Sequence, residues 1–144
     1  MGTVTGSAHI NKPVAEVFAF MTDSANWPDV EVGLLDIQPR GKVAVGSKGT
    51  ETRDMRGRKI QATWEVAELE ANKKLTVNGG GPGMKVRAVT SFAQKDNGTD
   101  VAFTMDYWPQ GLMMKLMSPM IKGQFKKDTA KMMLRMKGAV ESKR

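Results

Sequence analysis

The side chains best suited to recognise a polar group are Glu51, Arg53 and Tyr107. Glu51 and Arg53 are two residues apart, so they share one face of an extended strand. An Arg-Glu pair on an inward face costs desolvation energy unless both partners are hydrogen-bonded. Such a pair is often kept to bind a carboxylate, an enolate or a hydroxyl group of a ligand. The competing interpretation is a solvent-exposed ion pair on an edge strand, and the sequence defines no catalytic residue.

Cysteine and histidine usage limits the remaining chemistry. The chain has no Cys and one His, which excludes Cys/His zinc sites, cysteine nucleophiles and disulfide frameworks. His9 alternates in phase with Thr5 and Ser7 rather than with Ile10, so we expect it on the solvent side. A Ser-His-Asp triad would need His9, and no G-x-S-x-G motif is present. We therefore expect neither a metal nor a cofactor, and hydrolase chemistry is disfavoured.

The net charge of +7, from 22 Lys and Arg against 15 Asp and Glu, is a weak functional signal. It is compatible with nucleic acid, with anionic lipid or with no charged partner. The aromatic residues fall mainly at predicted core positions, so nucleic acid is not an expected partner. A basic C-terminal helix with a Met-rich start is compatible with weak contact to an anionic membrane. The competing interpretation of that helix is a solvated basic face.

Hydrophobic periodicity predicts the elements that position these groups. Alternation over 4–10 indicates a strand, and Pro13 with helical spacing up to Met21 indicates a helix. A short second helix or turn is predicted at Trp27 and Pro28. Residues 112–140 predict a long amphipathic helix, which Pro119 kinks or starts. Between them, six strands are predicted at 32–38, 47–54, 59–67, 74–78, 84–94 and 99–108. The GGGPG run at 79–83 is interpreted as a loop at the rim of a cavity, because it lacks a phosphate-binding pattern.

Two hairpins allow the strand register to be counted. Asn97-Gly98 is a strong two-residue turn signal between the last two strands. With that turn, the facing pairs are Lys95 with Asp100, Phe92 with Phe103, Thr90 with Met105 and Ala88 with Tyr107. At Arg56-Gly57, a two- or four-residue loop places Gly49, Glu51 and Arg53 on the apolar face, with Gly49 opposite Trp64. A three- or five-residue loop would place Thr50 and Thr52 there instead, and we favour the even loop.

The order of these elements resembles the helix-grip fold. Residues 9–23, HINKPVAEVFAFMTD, followed by Asn26-Trp27-Pro28, resemble the opening of the START-like, or SRPBCC, superfamily, which includes polyketide cyclase/dehydrase-like proteins. Val45-Gly46, Asn97-Gly98-Thr99 and the closing LRMK at 134–137 are further similarities. The resemblance spans essentially the whole chain. It implies an α+β fold in which an antiparallel seven-stranded sheet, with two short helices after the first strand, wraps around a long C-terminal helix. The 144 residues are expected to form a single domain.

The resemblance also implies a cavity between sheet and helix that receives a hydrophobic ligand. Glu51 and Arg53 are expected at this site together with apolar and aromatic side chains. These are Phe20, Trp27, Trp64, Phe92, Phe103, Met105, Tyr107, Met117, Ile121, Phe125 and Met132. The competing interpretation is that they form an ordinary core. The chain has twelve Met, seven of them in the C-terminal helical segment, and because Met side chains are flexible we expect a broad range of ligands.

The expected function is binding of a small hydrophobic ligand, namely a lipid, a polyketide or another aromatic or apolar metabolite. The first alternative is an enzyme similar to polyketide aromatases/cyclases, and the second is a basic protein that contacts membrane or RNA surfaces. The longest apolar stretch, 111–121, is far shorter than a membrane span, and no signal peptide is visible, so a cytoplasmic location is expected. The oligomeric state, monomer or dimer, is left open.

Overall fold

One antiparallel sheet of seven strands is the framework of the molecule. The structure is a computed structural model that describes residues 1–55 and 57–143. The strands are β1 (Gly2–Ile10), β2 (Leu34–Gln38), β3 (Lys48–Met55), β4 (Arg58–Glu70), β5 (Lys74–Gly81), β6 (Met84–Lys95) and β7 (Gly98–Pro109). Their order in the sheet is β1-β7-β6-β5-β4-β3-β2, so β1 and β2 are the edges. This confirms the predicted α+β helix-grip architecture.

Within the described residues, a 3-10 helix (Ser24–Asn26) and four α-helices accompany the sheet: α1 (Val14–Met21), α2 (Trp27–Val30), α3 (Leu112–Leu116) and α4 (Ser118–Glu141). Pro13 caps α1, and Pro119 lies in the first turn of α4, where a missing N–H costs no hydrogen bond. The predicted single C-terminal helix is therefore divided, and Pro119 marks the start of its long part. Among the described residues, no helix combines the length and the apolar character needed to cross a membrane.

The predicted pairing of the last two strands is wrong by two residues. Asp96 has a φ of +56°, so the turn is formed by Asp96 and Asn97, and Lys95 faces Gly98. Gly98 instead permits a close approach to β1, since a Cβ there would lie 2.6 Å from both the Nε2 atom of His9 and the backbone oxygen of Ile10. The corrected pairs are Phe92 with Val101, Thr90 with Phe103, Ala88 with Met105 and Val86 with Tyr107. A shift of two preserves the faces, so the predicted inward residues remain inward.

The even loop between β3 and β4 is confirmed by the pairing on both sides of it. Met55 faces Arg58, and Gly49 faces Trp64. Arg56, one of the two loop residues, lies outside the described part of the chain. Glu51 and Arg53 consequently share the inner face of β3, opposite Ala62 and Ile60 of β4.

The prediction for the GGGPG run is wrong in part. Strand β5 continues through Gly81, and only Pro82 and Gly83 form the turn to β6. Gly79 faces Val86 on β6 and Trp64 on β4, which places it on the inner face of the sheet. Strand β5 thus contributes two positions without a side chain, Gly79 and Gly81, to the inner face.

The core lies between the inner face of the sheet, the short helices and the C-terminal half of α4. On α4 the buried residues are Thr129, Met132, Met133, Met136 and Val140. Gly6 of β1 allows this half to pack closely, because a Cβ there would lie 2.8 Å from Cγ2 of Thr129. The helix is therefore firmly seated only over its second half.

Candidate functional site

The inner face of the central strands changes from large to small residues along its length. Leu75 of β5 and Phe92 of β6 are buried in the core at one end of these strands, where Phe92 packs against Phe18 of α1. Towards the other end the same strands carry Gly79, Gly81 and Ala88. Small side chains leave room between the sheet and whatever covers it. The local sequence therefore creates space beneath the N-terminal half of α4.

The backbone of helix α4 does not approach this part of the sheet closely. Its close backbone approaches are to β1 and α2 rather than to the central strands. Ile121 and Phe125 on the inward side are only half-buried, and Met117 before the helix is exposed. The sheet residues opposite are half-buried as well: Val77, Val86, Ala88 and Met105. These side chains form an incompletely buried apolar region between the sheet and the start of α4, which we call the inner site.

A cluster of three charged side chains lies on the β3 side of the inner face. Arg53 donates from Nη2 to Oε1 of Glu31 at 2.6 Å and from Nε to Oε1 of Glu51 at 3.0 Å. Nη2 also donates to Oε2 of Glu51 at 3.3 Å, so the guanidinium is hydrogen-bonded to both carboxylate oxygens of Glu51. Within the described part of the chain, Nη1 of Arg53 takes part in no hydrogen bond. It remains available to a ligand oxygen.

The electrostatics of this cluster follow from its burial. Burial raises the pKa of Glu51 above its ordinary value, and attraction to Arg53 offsets only part of that effect. For Arg53, burial acts to lower the pKa, but Glu31 and Glu51 outweigh it and raise the pKa. Arg53 is therefore a fixed cation beside one carboxylate, Glu51, that takes up a proton more readily than usual.

Tyr107, the third predicted polar residue, is placed elsewhere. Its ring packs edge-on against Phe125 with centroids 4.9 Å apart, and it lies across Gly2, where a Cβ would collide with its Cζ at 2.2 Å. Strand β7 is separated from β3 by four strand spacings, roughly 19 Å measured along a sheet. The structure brings Glu51 and Arg53 together, adds Glu31, and keeps Tyr107 at the opposite side of the inner site.

Most of the predicted aromatic residues are in the closed core. Trp27 and Trp64 pack edge-on with centroids 5.1 Å apart, and the indole N–H of Trp27 donates to the backbone oxygen of Met21. Phe92 packs against Phe18 in the same manner. Other predicted site residues buried in this core are Phe20, Phe103 and Met132. The predicted residues that border the inner site are Met105, Tyr107, Met117, Ile121 and Phe125.

The sequence interpretation missed Glu31 and the small residues of the inner face. Gly79 and Gly81 continue the inward phase of Leu75 and Val77, so extending that strand by one alternation would have placed them correctly. Glu31 follows α2 and meets Arg53 only through the tertiary fold. No local pattern identifies it.

Two open depressions lie outside the inner site. A groove of about 650 Å³ runs between the edge strand β1 and α4 and is bordered by Gly6, Ala130, Leu134 and Lys137. A shallower depression of about 470 Å³ lies over Gly80 and Thr63 on the sheet. His9 at the first groove is exposed, as expected, and its Nδ1 lies 2.7 Å from a carboxylate oxygen of Asp100. Neither depression includes the charged cluster.

Solved structures share this architecture at low sequence identity. The aromatase/cyclase ZhuI from Streptomyces sp. R1128 has a TM-score of 0.84 at 12% identity, covering 97% of this chain and 93% of that one. A conserved protein from Geobacillus kaustophilus has a TM-score of 0.76 at 18% identity, covering 96% and 95%. Ara h 8.0201 has a TM-score of 0.70 at 16% identity, covering 99% of each chain. At these identities the likeness concerns the fold.

Sequence comparison identifies the family. No curated protein matches the chain. The family model described as "Polyketide cyclase / dehydrase and lipid transport" matches residues 1–141, which is nearly the whole chain. Together with the helix-grip architecture, this match confirms the START-like resemblance: the chain belongs to the polyketide cyclase/dehydrase and lipid transport family.

Proposed function

We propose that the protein binds a small hydrophobic molecule in the inner site. The observation that carries this proposal is the contrast along α4, whose C-terminal half is buried while the apolar residues beneath its N-terminal half remain half-buried. Half-buried apolar side chains on facing elements gain free energy when a ligand removes them from water. Family membership supports the same function.

The charged cluster suggests one chemical feature of the ligand. Nη1 of Arg53 faces no protein acceptor in the described residues, whereas Glu51 and Glu31 occupy its other donors. A carboxylate, an enolate or a phenolic oxygen at one end of an apolar ligand would accept a hydrogen bond from Nη1. We therefore propose an amphiphilic ligand, with an apolar body near Ala88 and a polar end near Arg53.

Blocking the inner site is the direct test of this proposal. Ala88→Phe places a large ring into the space, while Ala93→Phe adds the same ring to the outer face of the same strand. Myristate and a hydroxylated anthraquinone serve as probes in native mass spectrometry and thermal unfolding, because a ligand that binds the folded state raises the melting temperature. We expect complexes with wild type and Ala93→Phe but not with Ala88→Phe. Equal binding by all three proteins, or by none, overturns the proposal.

A cyclase reaction is the second candidate function, favoured by the raised pKa of Glu51 beside Arg53. A carboxylate with a raised pKa is a stronger base, so it can take up a proton in enolisation, and a neighbouring cation stabilises the enolate that forms. The solved structure of ZhuI, described as an aromatase/cyclase, has the same fold. Under this proposal, Glu51 moves the proton and Arg53 binds the oxygen of a poly-β-ketone.

Glu51→Gln separates binding from turnover, since Gln retains an oxygen that can accept from Arg53. The cyclase proposal predicts that Glu51→Gln binds a poly-β-ketone as wild type does but loses its conversion to cyclic product. Tyr107 lies across the inner site from Glu51, so the turnover of Tyr107→Phe serves as the comparison. Conversion by Glu51→Gln at the wild-type rate removes Glu51 from the reaction.

A further inference from the structure

A group of large apolar side chains is exposed at the start of the C-terminal helical segment. We call it the outer patch, and its members are Leu112 (75% exposed), Met113 (71%), Leu116 (72%) and Met120 (52%). All four lie within the nine residues 112–120. Exposed apolar residues scattered singly need no explanation, but a contiguous group marks an interaction surface.

The outer patch is a second apolar face of a segment whose first face is already used. Helical hydrogen bonds continue through the break at Met117, which donates to Met113 and accepts from Ile121. Met114, Ile121 and Phe125 face the sheet, where Phe125 contacts Tyr107 and Met114 lies against Gly83. Because successive helical residues turn by about 100°, the outer patch falls on the opposite side. A helix that is apolar on both sides requires cover on both sides.

The charges around the outer patch indicate what covers it. Residues 109–127 include no Asp or Glu but contain four lysines: Lys115, Lys122, Lys126 and Lys127. All four are exposed, and none forms an ion pair with another residue in 1–55 or 57–143. Apolar side chains bordered by lysines are the pattern of helices that lie in the headgroup region of anionic bilayers.

We propose that the outer patch docks the protein on the surface of an anionic phospholipid bilayer. Leu112, Leu116 and Met120 would enter the interfacial region while the lysines meet lipid phosphates. A second copy of the chain fits less well, because a two-fold contact through this patch would bring the same lysines together. RNA would engage the lysines but would gain nothing from the leucines.

Docking in this orientation would bring the start of α4, where the inner site begins, close to the bilayer, because the outer patch runs from α3 to Met120 in the first turn of α4. This consequence rests on the proposed ligand binding: an apolar ligand would pass between membrane and protein without crossing water. The docking itself depends only on the exposed surface, so the two proposals can fail separately.

Vesicle flotation with a pair of matched leucine variants tests the docking. Vesicles of phosphatidylcholine with about 30% phosphatidylglycerol are compared with pure phosphatidylcholine. We expect the wild-type protein to float with the anionic vesicles, and Leu112→Ala/Leu116→Ala to bind about tenfold more weakly. Leu134→Ala is the control, because Leu134 is 72% exposed on the same helical segment but outside the patch. It should bind as wild type does.

Each other outcome counts against the proposal. If the double variant floats as well as wild type and salt alone releases the protein, the contact is purely electrostatic and apolar docking is wrong. If Leu134→Ala weakens binding equally, or if no protein floats, the outer patch is not a membrane surface. A concentration-dependent dimer that the double variant abolishes would assign the patch to a second copy. Native mass spectrometry of the double variant with myristate should show wild-type ligand binding, and loss there would indicate damage to the inner site instead.

Discussion

Arg53 is the residue on which the charge balance of the inner face depends. It forms ion pairs with both Glu31 and Glu51, and Glu51 has only 9% of its surface exposed. Two carboxylates this close would repel each other without the guanidinium between them. The cluster is therefore sensitive to the loss of its cation, and less so to changes that preserve it.

Replacing Arg53 by Ala should destabilise the fold substantially. We expect a loss of about 3 kcal/mol in the free energy of unfolding, towards the lower end for a broken buried ion pair because Arg53 is itself 26% exposed. Urea denaturation measures the loss. Arg40→Ala is the control, since it breaks a 2.7 Å pair with Asp36 in which both side chains are about half-exposed. That variant should lose less than about 1 kcal/mol, and equal losses would contradict the assigned role of burial.

Glu51 should make stability depend on pH. Because burial raises its pKa, the folded state holds the proton more tightly than the unfolded state. The resulting stabilisation is present below the ordinary pKa of 4.5 and is lost as pH rises through the raised value. Glu51→Gln removes this loss. As pH rises above 4.5, the melting temperature of Glu51→Gln should increase relative to that of wild type. A constant difference in melting temperature at all pH values would be inconsistent with a raised pKa.

The residues of the candidate site could be predicted only in part. The alternation of β3 with the even loop was enough to place Glu51 and Arg53 on the inner face. Glu31 could not be paired with them, because it comes from a different element and its position depends on how α2 packs. Trp27 and Trp64 illustrate a second limit. An apolar ligand site and a hydrophobic core are built from the same residue types, and only the packing shows that these two rings contact each other.

At the scale of elements, the hairpin between β6 and β7 shows how a correct motif can give a wrong register. Asn97-Gly98 is a favoured turn, but Gly98 is needed beside His9 and Ile10, where the space excludes a side chain. A tertiary contact therefore overrides the local signal, and Asp96 adopts the positive φ instead. The faces of β7 were predicted correctly nonetheless, because the error was an even number of residues.

Two glycines should respond oppositely to replacement by Ala: Gly6, at the contact between β1 and α4, and Gly123, on the exposed part of α4. Gly6→Ala brings a methyl group within 2.8 Å of Thr129 and 3.0 Å of Met133, so α4 must move away from β1. We expect a cost of about 1–3 kcal/mol. Gly123→Ala meets nothing within 4 Å and should stabilise α4 by about 1 kcal/mol. Chemical denaturation of both variants measures the difference, and a stabilised Gly6→Ala would show that the contact yields more easily than the structure indicates.

At the scale of the whole molecule, the two halves of α4 differ in how deeply their side chains are buried. The C-terminal half completes the core through Met132, Met136 and Val140. The N-terminal half has no buried side chain, and its apolar residues Ile121 and Phe125 are half-buried. Neither half could be assigned from the sequence, because methionines occur in both and only their distance from the sheet distinguishes them. Of the seven Met in the C-terminal helical segment, three are buried in the core and four are half-buried or exposed, where flexible side chains can adapt to a partner.

This division predicts an uneven distribution of local stability. Amide hydrogen exchange should be faster in 112–128 than in 129–141, because the first segment has no buried side chains and the second has five. Myristate should slow exchange in 112–128 and in the inner strands β5 and β6 while leaving 129–141 unchanged. In Ala88→Phe, the added ring should produce the same protection without ligand, and myristate should add nothing further. Uniform exchange along the helix would mean that the two halves open together. Protection by ligand confined to 129–141 would mean that the inner site lies elsewhere.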